Sequence, residues 1–164
     1  MPSVLFVCMA NQFRSPLAAA YFQNRLNQEG LADGWTVSSA GTWVKEAVGA
    51  HPAAGQIAEK MGLDLSAHIT REVTHTMLDD ADLVIVMEHG QKEALQFEFA
   101  DQRKKIIMLT ELSGGIAFDI PDPVMDDFTT SELIAVTLFT EIDHGFTEIE
   151  QRAHNARSVE SAEG

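Results

Sequence analysis

Hydrophobic positions along the chain alternate between two periodicities. Short apolar runs of branched residues at 4–7, 35–39, 82–87 and 105–109 read as strands. Between them, apolar residues recur every third or fourth position. Ala18, Phe22 and Leu26 mark a first helix that stops at Gly30, and Ala54, Ile57, Ala58 and Met61 mark one over 52–61 that stops at Gly62. A third covers 91–99. The last follows the capping-box pattern Thr129-x-x-Glu132 and carries Ile134, Leu138, Ile142 and Ile149 on one stripe. Strands separated by helices predict an α/β fold with a parallel sheet and right-handed crossovers. From about residue 153 the chain turns polar, which predicts a frayed end.

The first strand leads into the stretch that carries chemistry, Cys8-Met9-Ala10-Asn11-Gln12-Phe13-Arg14-Ser15-Pro16. Cys8 falls at the carboxyl end of the strand, where open α/β sheets place ligands. Ser15 fits an N-cap and Pro16 a first helical residue. The loop then lies over a helix N-terminus, whose unpartnered amides and positive dipole end favour a phosphate-like dianion. The same field and the Arg14 guanidinium favour the thiolate, which is the nucleophile. Arg14 offers a planar fork for two phosphoryl oxygens, and Ser15 a hydroxyl that can donate to sulfur. A lone cysteine at a strand end is more often a small buried hydrophobe. The spacing to Arg14 and the Ser-Pro helix start shift the balance towards a reactive thiol.

Composition narrows the function classes. A net charge of −14 argues against nucleic acid or an anionic membrane surface as the partner. One cysteine excludes an intramolecular disulfide, and no run approaches 18 apolar residues. These features predict a cytoplasmic protein. The six histidines have no metal-ligand spacing, so neither a metal nor another cofactor is expected.

The segment Val-Leu-Phe-Val-Cys-x-x-Asn-x-x-Arg-Ser-Pro-x-Ala resembles the phosphate loop of the low-molecular-weight protein tyrosine phosphatases, a family that includes bacterial arginine phosphatases and thiol-coupled arsenate reductases. The resemblance covers residues 3 to about 150. It implies a three-layer sandwich with a four-stranded parallel sheet of flavodoxin-like order 2-1-3-4, a single domain over 1–152, and a flexible tail over 153–164. It also assigns roles. Cys8 is the nucleophile, and the backbone of Met9, Ala10, Asn11, Gln12, Phe13 and Arg14 holds the phosphate. In Asp119-Ile120-Pro121-Asp122-Pro123, Asp122 matches the family's Asp-Pro general acid, and Asp119 is left a turn role. Ser39, in Ser38-Ser39-Ala40-Gly41-Thr42, matches a serine beneath the loop, and His68 a histidine that braces Asn11.

Departures from the pattern bear on specificity. Ala10 replaces a usual glycine, and Phe13 the second cysteine of many members. Val124 and Met125 stand where aromatic residues often flank a phenyl ring; Trp43 and Gln12 are the other candidates for the substrate wall. The implied activity is phosphomonoester hydrolysis through phosphocysteine, foremost on protein phosphotyrosine. Phosphorylated proteins or small phosphate esters would be the substrates, with phosphate or arsenate as oxyanion ligands. A protein arginine phosphatase, an arsenate reductase coupled to a small-molecule thiol, and a non-catalytic oxyanion-binding module are the alternatives.

Overall fold

The computed structural model describes residues 1–123 and 127–163. Four strands, β1 (Ser3–Cys8), β2 (Thr36–Gly41), β3 (Leu83–Val86) and β4 (Ile106–Met108), form one parallel sheet in the order β2-β1-β3-β4. The period-2 alternation of the strands sorts their side chains into two cores. Val4, Phe6, Cys8, Leu83 and Ile85 face one side, and Leu5, Val7, Val84, Val86 and Ile106 the other. The first side is covered by α1 (Arg14–Gln28), α2 (Pro52–Lys60), the short α5 (Leu109–Leu112) and the long α6 (Phe128–Glu163). The second is covered by α3 (His75–Asp80) and α4 (His89–Glu98). The result is a three-layer sandwich.

α1 forms where Leu17, Ala18, Phe22 and Leu26 recur on one stripe, all fully buried. Each large apolar side chain of that stripe stabilises the packing against β1 by about 1.5–3 kcal/mol. The helix ends at Gly30, whose φ of +69° is the left-handed conformation a glycine adopts without strain.

The structure corrects two expectations. α6 is capped by Asp127, whose Oδ1 accepts the Thr130 amide at 2.8 Å, and Thr129 lies inside the helix. Ser15 does not cap α1: the helix begins at Arg14 after Phe13, with no side-chain cap, because the serine hydroxyl is drawn into the site described below. α6 runs on to Glu163. Ala153 is fully buried, His154 sits edge-on to Trp35, and Arg157 lies 3.8 Å from the buried carboxylate of Asp82. Three short elements have no counterpart in the predicted pattern, namely α3, α5 and a 3-10 turn over Ala100–Lys105. Among the described residues no helix is long and apolar enough to cross a membrane.

β1 connects to β2 on one side, while β3 lies on its other side. The chain therefore splays apart at the carboxyl ends of β1 and β3, and the crevice there is the expected ligand site of an open α/β sheet.

Candidate active site

Residues 9–13 join β1 to α1 across this crevice. Their carbonyls are drawn outward by donors from the surroundings. Cys8 O accepts from Thr42 N at 2.9 Å, Met9 O from Trp43 N at 3.0 Å, Gln12 O from His51 N at 2.9 Å and Phe13 O from Leu17 N at 3.2 Å. His68 donates from Nε2 to Asn11 O at 2.7 Å, which fixes its tautomer because a carbonyl only accepts. In a trans peptide the N–H points opposite the carbonyl. The amides that follow these carbonyls therefore turn into the loop, and among the described residues none of those of Met9 to Phe13 meets an acceptor. The arrangement is a nest of donors over the N-terminus of α1, suited to a compact anion.

Asn11 holds this shape. Its φ of 56° is the only positive one at a non-glycine residue among the described residues, a conformation that costs on the order of 1–2 kcal/mol. Its buried amide offsets that cost. Nδ2 donates to Ser15 Oγ at 2.8 Å and Ser39 Oγ at 3.0 Å, and Oδ1 accepts from Arg71 N at 3.1 Å. Ser15 Oγ thus receives one hydrogen bond and directs its own proton to Cys8 Sγ at 3.0 Å or Ala40 O at 3.3 Å. Ala10 has no positive φ, so alanine in place of glycine does not strain the loop.

Arg14 is the largest fully buried side chain. Its Nη1 donates to Ile120 O at 2.7 Å and lies 3.0 Å from the Glu88 carboxylate. Nε and Nη2, the side-on edge of the guanidinium, are buried without a hydrogen-bond acceptor among the described residues, with Asp122 Oδ2 3.6 Å from Nη2. Two parallel donors at the mouth of a ring of amides match two oxygens of a phosphoryl group. The loop bearing Asp122 is pinned by Ile120, whose amide donates to Met87 O at 3.0 Å, and by Asp119, whose carboxylate accepts the His89 amide at 2.7 Å.

Trp43 is mostly exposed, with Lys45 Nζ 4.8 Å from its ring centroid; together with Ala10 and Gln12 these residues line a cavity of about 230 Å3 beside the loop. The Phe13 side chain is buried in the core. Val124 and Met125 lie outside the described residues. Of two further neighbours of the loop, Glu88 had no part in the sequence reading and Gly41 entered it only within the segment that carries Ser39. Glu88 contacts Arg14, and Gly41 packs so close that a Cβ would come within 2.5 Å of Met9 O. The signal for Glu88 is its position: a charged residue just after β3, on the second strand bordering the crevice. His75 gathers with Asp79 and Asp101 in an exposed group whose potential ligand atoms lie within 4.8 Å of one another, on α3 and the 3-10 turn rather than at the loop. Both ring nitrogens are already engaged by the two carboxylates.

Residues 3–158 match the family model of low molecular weight phosphotyrosine protein phosphatases. The chain belongs to this family. Its curated relatives include a probable low molecular weight protein-tyrosine-phosphatase, EpsP, from Ralstonia nicotianae, 31% identical over 79% of this chain and 83% of the relative. A protein-arginine-phosphatase from Bacillus subtilis is 32% identical over 73% of this chain and 78% of its own. The crystal structure of a low molecular weight protein tyrosine phosphatase from T. tengcongensis superposes with a TM-score of 0.84 at 29% identity, covering 90% of this chain and 99% of the other. The protein is accordingly a member of a family of cysteine-dependent phosphatases that act on phosphorylated proteins or phosphate esters, and it shares their four-stranded fold.

Proposed function

We propose that this phosphatase hydrolyses protein phosphotyrosine through a phosphocysteine intermediate. The observation that carries the reading is the meeting of Cys8 Sγ, a ring of inward amides and an edge of the buried Arg14 that has no hydrogen-bond acceptor among the described residues, with Asp122 Oδ2 3.6 Å from Nη2. The Cys8 thiolate attacks phosphorus. The equatorial oxygens are held by the amides of residues 9–13 and by Nε and Nη2 of Arg14, donors in place before the reaction begins that stabilise the transferring phosphoryl group. Asp122 protonates the departing phenolic oxygen as the P–O bond breaks. It then takes a proton from the water that attacks the phosphocysteine, and inorganic phosphate and the thiolate are regenerated. Ser15 Oγ donates to sulfur when it leaves as thiolate, and Asn11, Ser39 and His68 hold the loop for both steps.

A second reading, dephosphorylation of phosphoarginine, is favoured by the carboxylates of Glu88 and Asp122 on either side of the Arg14 guanidinium, an acidic flank suited to a cationic leaving group. The relationship to a protein-arginine-phosphatase supports it.

The test is hydrolysis of aryl phosphates with chelator present, comparing wild type with Cys8→Ser and Asp122→Asn, and phosphotyrosine with phosphoarginine peptides. Cys8→Ser should abolish turnover. Asp122→Asn should slow esters of poor leaving groups by about 10²–10⁴-fold and good ones much less. Turnover retained in Cys8→Ser would overturn the mechanism, and a preference for the phosphoarginine peptide would replace the tyrosine reading with the second.

A further inference from the structure

We infer that Glu88 is a positioning residue for Arg14, setting which edge of the guanidinium faces the anion. The inference rests on the phosphatase reading of the same loop. A guanidinium has a side-on edge, Nε with Nη2, and a remaining corner, Nη1. Here the corner is held the more closely: Nη1 donates to Ile120 O and lies 3.0 Å from the Glu88 carboxylate, while Nε and Nη2 have no hydrogen-bond acceptor among the described residues and Nη2 only the more distant Asp122 carboxylate at 3.6 Å. A long arginine side chain otherwise has several rotamers from which to choose, and only one of them presents the fork to two phosphoryl oxygens.

Glu88 is itself held. Its Oε2, the atom nearest Arg14, also accepts from Gln91 Nε2 at 2.9 Å. Gln91 is buried, and its Oε1 accepts the amides of Met87 at 3.0 Å and Glu88 at 3.1 Å. The carboxylate is thus fixed to the end of β3 and the first turn of α4, so the second strand of the crevice sets the orientation of a residue on the first. Glu88 also places a negative charge beside a site for a dianion. Orientation and repulsion pull anion affinity in opposite directions, and two substitutions separate them.

Glu88→Gln removes the charge and keeps an oxygen that can accept from Nη1. Glu88→Ala removes both. The expected result, read by direct titration of inorganic phosphate into the full-length protein, is tighter binding in Glu88→Gln, by about threefold as repulsion is relieved, and weaker binding in Glu88→Ala, by about tenfold as a charge-assisted bidentate contact loosens. In turnover, Glu88→Ala should lose about 10–100-fold in kcat/KM, by a factor that is the same for good and poor aryl leaving groups, because Arg14 holds equatorial oxygens in every step. Glu88→Gln should recover most of that loss. The flat leaving-group dependence distinguishes this role from that of Asp122, and a purely structural role would not reverse the sign of the phosphate effect between the two variants. Thermal melting establishes that each variant is folded, and if Glu88→Ala is not, the Glu88→Gln titration still decides: unchanged or weaker phosphate binding there overturns the inference. So does Glu88→Ala activity within twofold of wild type, or a loss that grows with leaving-group pKa. Because phosphate binding needs no turnover, it tests Glu88 even if the Cys8 experiment removes the phosphocysteine mechanism.

Discussion

At the scale of single residues, the loop is held from outside by donors to its carbonyls, and one of the closest supports is a residue with no side chain. Gly41 ends β2 beside Cys8, and a Cβ built there would meet Met9 O at 2.5 Å, Val44 Cγ2 at 2.7 Å and Asn11 N at 3.1 Å. Two of these are backbone atoms of the loop, so they cannot swing aside as a side chain would. Gly41→Ala should therefore displace the amide ring and cost about 10²-fold in kcat/KM, since misplacements of about 1 Å in an active site have effects of that size. Steady-state kinetics with circular dichroism would check this, and near-wild-type kcat/KM would show that β2 can shift without disturbing the loop. Much of this region was legible in the sequence because its chemistry is local: Cys8, Asn11, Arg14 and Ser15 lie within one strand–loop–helix turn. Glu88 escaped, and Gly41 was seen only as part of the Ser39 segment, because their roles are contacts across long sequence separations. Ser15 was misplaced as a cap for a related reason. The sequence shows that a hydroxyl precedes Pro16, but not that Sγ, Asn11 and Ala40 compete for it.

At the scale of elements, legibility followed length. The four strands and the helices with more than two turns of apolar periodicity stood out, whereas α3 and α5 are too short to show a stripe. The C-terminal end of α6 has mostly polar residues, and only the fold shows that Ala153, His154 and Arg157 have partners. α3 is instead tied down by charge. His75 Nδ1 lies 2.9 Å from Asp79 Oδ2 on its own helix, and Nε2 2.8 Å from Asp101 Oδ2 on the 3-10 turn. The hydrogen bond to Asp101, ahead of the attraction of both carboxylates, raises the imidazole above its ordinary value, and the same bond lowers Asp101. A histidine raised in the folded state stabilises fully below the unfolded value of about 6.5 and loses that contribution as pH rises through the folded value. The urea midpoints of wild type and His75→Asn should therefore differ at pH 5.5 and converge at pH 8.5. The effect should be small, because the cluster is exposed to solvent. A difference that grows with pH would mean that the neutral imidazole, not the imidazolium, is the form that stabilises α3.

At the scale of the whole molecule, a net charge of −14 surrounds a site built to take a dianion. The two fields differ in range. The amide ring and Arg14 act over a few ångströms inside the crevice, where salt screens them little, while the net charge acts on substrate still in solution. Lowering NaCl from 0.2 M to 0.02 M lengthens the screening distance from about 7 Å to about 20 Å, so approach is then governed by the charge of the whole protein. Phosphotyrosine peptides flanked by acidic residues should consequently show kcat/KM that rises with salt, and peptides flanked by lysines kcat/KM that falls, the two converging at high salt. Because steering acts on encounter, the change should appear in kcat/KM with kcat nearly constant. Parallel decreases for both peptide types would mean that the local positive field of the loop extends beyond the crevice and outweighs the negative surface. In that case neighbouring sequence would contribute little to selection, and the choice of substrate would rest on the immediate walls formed by Gln12, Trp43 and the Asp122 loop.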